Sequence, residues 1–214
     1  MSSGLESLYP FIYAGSSNLD SVLDEVRRST TDKVDEISRL RAEVLKTYRD
    51  ALVDCATAMA RAFEAGGRLF VFGNGGSSTD AQAVAELFEN PAPPARPLPA
   101  TALAADVAVL TALANDVSFE VIFSRTLAAN GRAGDIAVGL STSGGSANVV
   151  RGLQEASRRG MLTVGLAGYD GGKMAEADVI EHLFVMPSAS VHRIQEAQTT
   201  TYHALWELTH LALG

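Results

Sequence analysis

"DIAVGLSTSGGSANVVRGLQEASRRGMLTVGLAG", Asp135 to Gly168, decides the fold of this 214-residue chain. It opens on an apolar run of strand length that ends in small polar residues. A stretch with helical patterning follows, with glycine just past its end, and then a second apolar run, "LTVGLAG". Strand, helix and strand in that order make a parallel pair joined by a crossover. The same alternation extends in both directions. Upstream lie "RLFVFG" (Arg68 to Gly73), a helical pattern from about Ser78 to Phe88, "ATALA" near Ala100, and a helical stretch around Val107 to Leu113. Downstream, "IEHLFVMP" (Ile180 to Pro187) reads as a last strand and Ile194 to Leu213 as a last helix. Strands alternating with helices predict an α/β fold with a mostly parallel sheet covered on both faces. Between the second and third segments, "NPAPPARPLP" holds five of the seven prolines and is expected to be a stiff surface loop.

Ahead of this region the texture is helical. Val22, Val26, Val34, Ile37, Leu40, Val44 and Leu45, then Ala51, Leu52, Cys55, Met59 and Phe63, recur at helical spacing up to the stop "EAGG" at Glu64 to Gly67. The division expected is an extension over residues 1–20, one or two oligomerisation helices over 21–66, and an α/β domain over 67–214. The apolar face of so long a helical segment needs a cover, and another subunit is the natural one.

Composition narrows the chemistry. A formal net charge of -8 argues against nucleic acid and anionic membrane as partners, while leaving room for a small anion held by local donors. Cys55 is the only cysteine, so there is no disulfide framework, and a buried, inert thiol is expected. Neither a leader segment nor a membrane-spanning apolar run is evident, which makes the cytoplasm the expected location.

Two strand ends carry the candidate site. "GNGGSST" (Gly73 to Thr79) and "STSGGSAN" (Ser141 to Asn148) each place glycines and hydroxyl side chains between a strand and the start of a helix. In an open parallel sheet ligands bind beyond the carboxyl ends of the strands, where helix N-termini point backbone N–H groups outward. Neither turn has the spacing of a dinucleotide fingerprint, and the lysine of a P-loop is absent, so NAD and ATP are not indicated. One such turn alone would read as a tight turn with a capping serine; two in one sheet point to phosphate.

With these motifs in view, "GNGGSSTDAQAVAE", "ALANDVSFEVIFSR" (Ala112 to Arg125), "GDIAVGLSTSGGSANVV", "LAGYDGGKMAEADV" and "HRIQEAQTTTYH" resemble the sugar isomerase (SIS) domain family, in its phosphoheptose isomerase branch. The resemblance covers about Val44 to Leu213. It implies a three-layer α/β/α sandwich on a five-stranded parallel sheet, flavodoxin-like, with long N-terminal helices, in a homotetramer whose active sites lie at subunit interfaces. It also implies a phosphorylated sugar as ligand. Ser77, with Gly75 and Gly76 of the first turn, and Ser141, Thr142, Ser143 and Ser146 of the second, correspond to the phosphate cradle. Asn74 and Asp116 correspond to positions lining the sugar.

Moving a carbonyl between adjacent sugar carbons asks for a base, a route for proton return and stabilisation of an enediolate oxygen. The resemblance assigns this to a histidine and a glutamate on the helix after the first turn and to a glutamine and a histidine on the last helix, the four able to bind zinc. Gln195 and His203 keep the second pair. The first pair is replaced by Ala83 and Leu87, and an aspartate of the last motif by His192. Glu86, one position before Leu87, is turned by about 100° on a helix and stands as the third catalytic candidate beside His203 and Gln195. His192 is expected in a loop. With Ala83 and Leu87 unable to ligate, no metal and no other cofactor is expected. Two functions follow: a phosphosugar isomerase with a reorganised site, or a sugar-phosphate-binding regulator resembling the branch that associates with the bacterial replication initiator.

Overall fold

The computed structural model describes residues 19–214, so the expected extension over residues 1–20 lies almost wholly outside them. The chain divides into two compact units, Met1–Arg39 and Leu40–Gly214. The described part of the first belongs to one helix, α1 (Leu19–Glu64), which runs 46 residues without a break where one or two helices were expected. On its first-unit stretch Leu23, Val26 and Val34 are all more than half exposed.

The second unit is built on five strands: β1 (Leu69–Gly73), β2 (Ala100–Ala102), β3 (Ile136–Ser141), β4 (Leu162–Gly168) and β5 (His182–Met186). They form one parallel sheet in the order β2-β1-β3-β4-β5. The connecting helices are α2 (Gly76–Glu89), α3 (Val107–Asp116), α4 (Ile122–Asn130), α5 (Ala147–Arg158), α6 (Gly172–Ala175) and α7 (Val191–Leu213). This is the three-layer α/β architecture predicted. From β1 the chain steps one way to β2, and from β3 it steps the other way to β4. Right-handed crossovers therefore send α2 and α5 to opposite faces. On the α5 face, Phe70 and Phe72 of β1 pack with Phe123, Leu127, Val149 and Leu153, the rings of Phe72 and Phe123 being 5.1 Å apart. Gly152 has no side chain because a Cβ there would come within 2.7 Å of the Phe72 ring.

Within the second unit, α1 from Leu40 onward is tied to the sheet and to α7. The Val185 N–H donates to the Tyr48 hydroxyl at 3.1 Å, and Arg41 donates to the Glu196 carbonyl at 3.4 Å. Cys55 is buried as expected, and burial, with the nearby charge of Glu181, pushes its thiol up to about 12, far from a nucleophilic thiolate. Opposite the functional edge, Asp135 is fully buried at the start of β3. It accepts from the Arg68 N–H at 2.9 Å, the Arg68 guanidinium at 2.7 Å and the Arg132 N–H at 3.0 Å.

Three elements lay beyond the sequence reading: the 3-10 turn Phe119–Val121, α4 behind it, and the single turn of α6. One expectation is corrected. His192 is in the first turn of α7, which begins at Val191 and not at Ile194, so it is a helix residue rather than a loop residue.

Candidate functional site

The order of the strands reverses between β1 and β3, and the register sets Gly73 beside Leu140, so the turns that follow emerge side by side at the carboxyl edge. In the first turn Gly75, at φ +54, caps α2, and no side chain supplies a capping bond. A side chain on Gly76 would overlap the Gln195 amide, so glycine at this position is what allows α7 to approach the turn. Ser77 is buried under the turn, its N–H donating to the Asn74 carbonyl at 3.0 Å.

In the second turn three hydroxyls converge. The Ser141 Oγ is 3.0 Å from that of Ser146 and 3.5 Å from that of Ser143, and the Ser143 Oγ accepts from the Gly145 N–H at 3.2 Å. Thr142 is part-buried between them. Gly144, at φ +62, lies directly against Gly171 and Gly172 at the start of α6, backbone on backbone, and its carbonyl accepts from the Met174 N–H at 2.9 Å. The two turns are bolted together by a reciprocal amide pair: Asn74 Nδ2 donates to Asn148 Oδ1 at 2.8 Å, and Asn148 Nδ2 returns the bond to Asn74 Oδ1 at 2.9 Å. Asn148 is buried and absent from the expected set. It is the last residue of the second quoted turn, and nothing local marks its partner.

Gln195, on α7, reaches the same edge from above the first turn. Its Nε2 donates to Asp80 Oδ2 at 3.2 Å, and Asp80 was not among the expected site residues either. Burial pushes the Asp80 carboxyl above the ordinary aspartate range, against the opposing pull of the Gln195 bond. Beside it the Tyr202 phenol is pushed up by burial, lowered by a bond to Thr199, and pushed up again by the charge of Asp80.

Three expected residues stand apart from this cluster. Glu86 is exposed on α2 and accepts from Asn90 Nδ2 at 3.1 Å. Asp116, at the end of α3, is exposed and accepts from its neighbour Asn115 at 2.7 Å. His203 is exposed two turns beyond Gln195 with its ring stacked on Tyr202 at 5.2 Å. Zinc finds no fit in this arrangement. Ala83 and Leu87 offer no donor, and among the described residues no three His, Cys, Asp or Glu side chains cluster as a metal site.

Comparison with known proteins agrees with the geometry. Residues 34–168 match the family model described as the SIS domain. The chain is 43% identical over 182 residues to the phosphoheptose isomerase of Aquifex aeolicus (strain VF5), covering 83% of this chain and 94% of that one. The solved structure of phosphoheptose isomerase GmhA from Neisseria gonorrhoeae superposes with a TM-score of 0.79 at 35% identity, covering 85% of this chain and 97% of that one. A phosphoheptose isomerase from Francisella tularensis superposes with the same score at 29% identity, over 92% and 100% of the two chains.

Proposed function

Because the chain belongs to the SIS domain family, we propose that it is a phosphosugar isomerase of the phosphoheptose isomerase kind, interconverting the aldose and ketose forms of a sugar phosphate such as sedoheptulose 7-phosphate. The observation that carries the reading is the pair of hydroxyl-rich turns locked side by side by Asn74 and Asn148 beneath Gln195. The cradle brings no cation of its own. A phosphate there is held by hydroxyls, backbone N–H groups and the positive ends of α2 and α5. The phosphosugar-binding unit is the region 67–214. Regulation without turnover is the weaker reading, because the full-length relatives matched are phosphoheptose isomerases.

In the reaction, Ser77, Ser141, Thr142, Ser143 and Ser146 hold the phosphate, with Gly75 and Gly76 allowing its close approach. Asn74 and Asp116 line the sugar and Gln195 orients it. His203 takes the proton from carbon and returns it to the adjacent carbon, and Glu86 is the second acid–base candidate. His203 and Asp116 are exposed on the single chain, and in the homotetramer proposed a second copy completes the site around them. Leu23, Val26 and Val34 of α1 are the apolar positions offered to such an assembly. The setting proposed is cytoplasmic, and no helix among the described residues is long and apolar enough to cross a membrane.

The direct test is turnover of sedoheptulose 7-phosphate by the purified protein, read as aldose formation; absence of turnover with that and shorter ketose phosphates sinks the proposal. Light scattering is expected to give four times the chain mass, and a monodisperse monomer would remove the assembly. Elemental analysis is expected to find no stoichiometric zinc, with turnover unchanged by EDTA. One zinc per chain with EDTA-sensitive turnover would show that ligands other than those at 83 and 87 complete a metal site.

A further inference from the structure

Helix α2 carries three carboxylates, and only one of them faces the last helix. Glu86 and Glu89 are exposed, the former engaged with Asn90. Asp80 lies three residues before Ala83 and seven before Leu87, on the same side of the helix as both. Across 115 residues of sequence it accepts from Gln195 Nε2 at 3.2 Å. An ionised carboxylate only accepts, so the amide must turn its nitrogen to Asp80 and its oxygen away. Gly76 closes the remaining freedom, because the amide is packed directly over its Cα. Among the described residues the Gln195 Oε1 has no hydrogen-bond partner, so it is the free end of a fixed group.

We propose that Asp80 is the positioning residue of this site: it locks the Gln195 amide with its carbonyl oxygen free, so that Gln195 meets the sugar as a hydrogen-bond acceptor for a hydroxyl. The inference rests on the isomerase reading above and deepens it by naming what orients Gln195 where Ala83 and Leu87 contribute nothing. Protonated Asp80 would instead donate to Oε1 and turn the amide over. The titratable groups of α7 on this side are Tyr202, which feels the Asp80 charge, and His203, stacked on Tyr202.

The role separates from a structural one in stability. Asp80 is part-buried and its partner is the uncharged amide of Gln195, so burying its charge costs stability. Asp80→Asn keeps an oxygen for Gln195 Nε2 without the buried charge. It is expected to hold or raise the melting temperature at pH 7.

The test is a double-mutant cycle on kcat/KM for sedoheptulose 7-phosphate. Asp80→Ala is expected to lower kcat/KM about tenfold to a hundredfold, mostly in kcat, as loss of orientation does, while Asp80→Asn retains activity to within about fivefold. In a Gln195→Ala background Asp80→Ala is expected to cost almost nothing more, since its effect passes through the amide. Equal losses in the two backgrounds, or an Asp80→Ala enzyme within about twofold of wild type, overturn the proposal. Should Asp80→Ala fail to fold, the isosteric Asp80→Leu takes its place in the cycle. Wild-type protein that turns over no phosphosugar fells the isomerase reading and this inference together; active wild type with an unaffected Asp80→Ala fells the inference alone.

Discussion

Ser77→Ala combined with Ser143→Ala is expected to weaken phosphosugar binding by about a hundredfold to ten-thousandfold while leaving the fold intact. Each hydroxyl bond to an ionised phosphate is worth about 1.5–3 kcal/mol, so two amount to roughly 3–6 kcal/mol, and every 1.4 kcal/mol is a factor of ten in affinity. The two serines come from different turns, Ser77 buried at the start of α2 and Ser143 exposed after β3, so the changes are independent of each other in structure. The Asn74–Asn148 pair remains to hold the turns in register. Calorimetric titration with sedoheptulose 7-phosphate, and with inorganic phosphate as the minimal ligand, checks this. Unchanged affinity would remove the cradle from the account.

The second large effect is on stability. Asp135→Ala is expected to destabilise the protein by about 3 kcal/mol, a drop of roughly 6–12 °C in melting temperature for a chain of this size. Asp135 is completely buried and gathers the Arg68 side chain and the backbone N–H groups of Arg68 and Arg132. Its removal strands those N–H groups, while Arg68, with its side chain 37% exposed, can turn to water and recover part of the loss. Burial alone would raise the Asp135 carboxyl. The Arg68 and Arg132 bonds and the Arg68 charge outweigh it and hold the group below the ordinary aspartate range. The stabilisation is therefore complete above the unfolded value of about 3.9 and is lost as pH falls through the lower folded one. Urea unfolding of wild type and Asp135→Ala at pH 7 and at pH 3 is expected to show the difference shrinking in acid; a difference that is constant with pH would remove the charge from the explanation.

The sheet is legible because β1, β3 and β4 are short apolar runs that stop at glycine or serine and are buried almost throughout. Legibility fell where the local signal was small. β2 has three residues, α6 four, and α4 follows a 3-10 turn that blurs its start. α7 starts at Val191, after Ser190, a residue type common at helix N-caps whose side chain makes no capping bond here. In the site, the hydroxyl turns could be read because each is contiguous. The bonds that join them could not, since Asn74 with Asn148 and Asp80 with Gln195 are 74 and 115 residues apart. Separation of that kind is resolved only by the strand order and the α2–α7 packing. Glu86 was chosen for its type and neighbourhood, and on the single chain it is exposed and accepts from Asn90.

The bare backbone contact between Gly144 and the Gly171–Gly172 pair has a practical bearing on retargeting the protein. A library that diversifies the second turn would lose most of its members there, since any side chain at 144 must displace a peptide group as well as adopt a left-handed φ. Position 144 is thus closed to mutational exploration. The permissive positions are exposed ones outside the proposed machinery, Ala83 and Tyr169, where new functional groups can be introduced without disturbing the scaffold. Selection for an altered sugar should accumulate its changes there and leave the three glycines untouched.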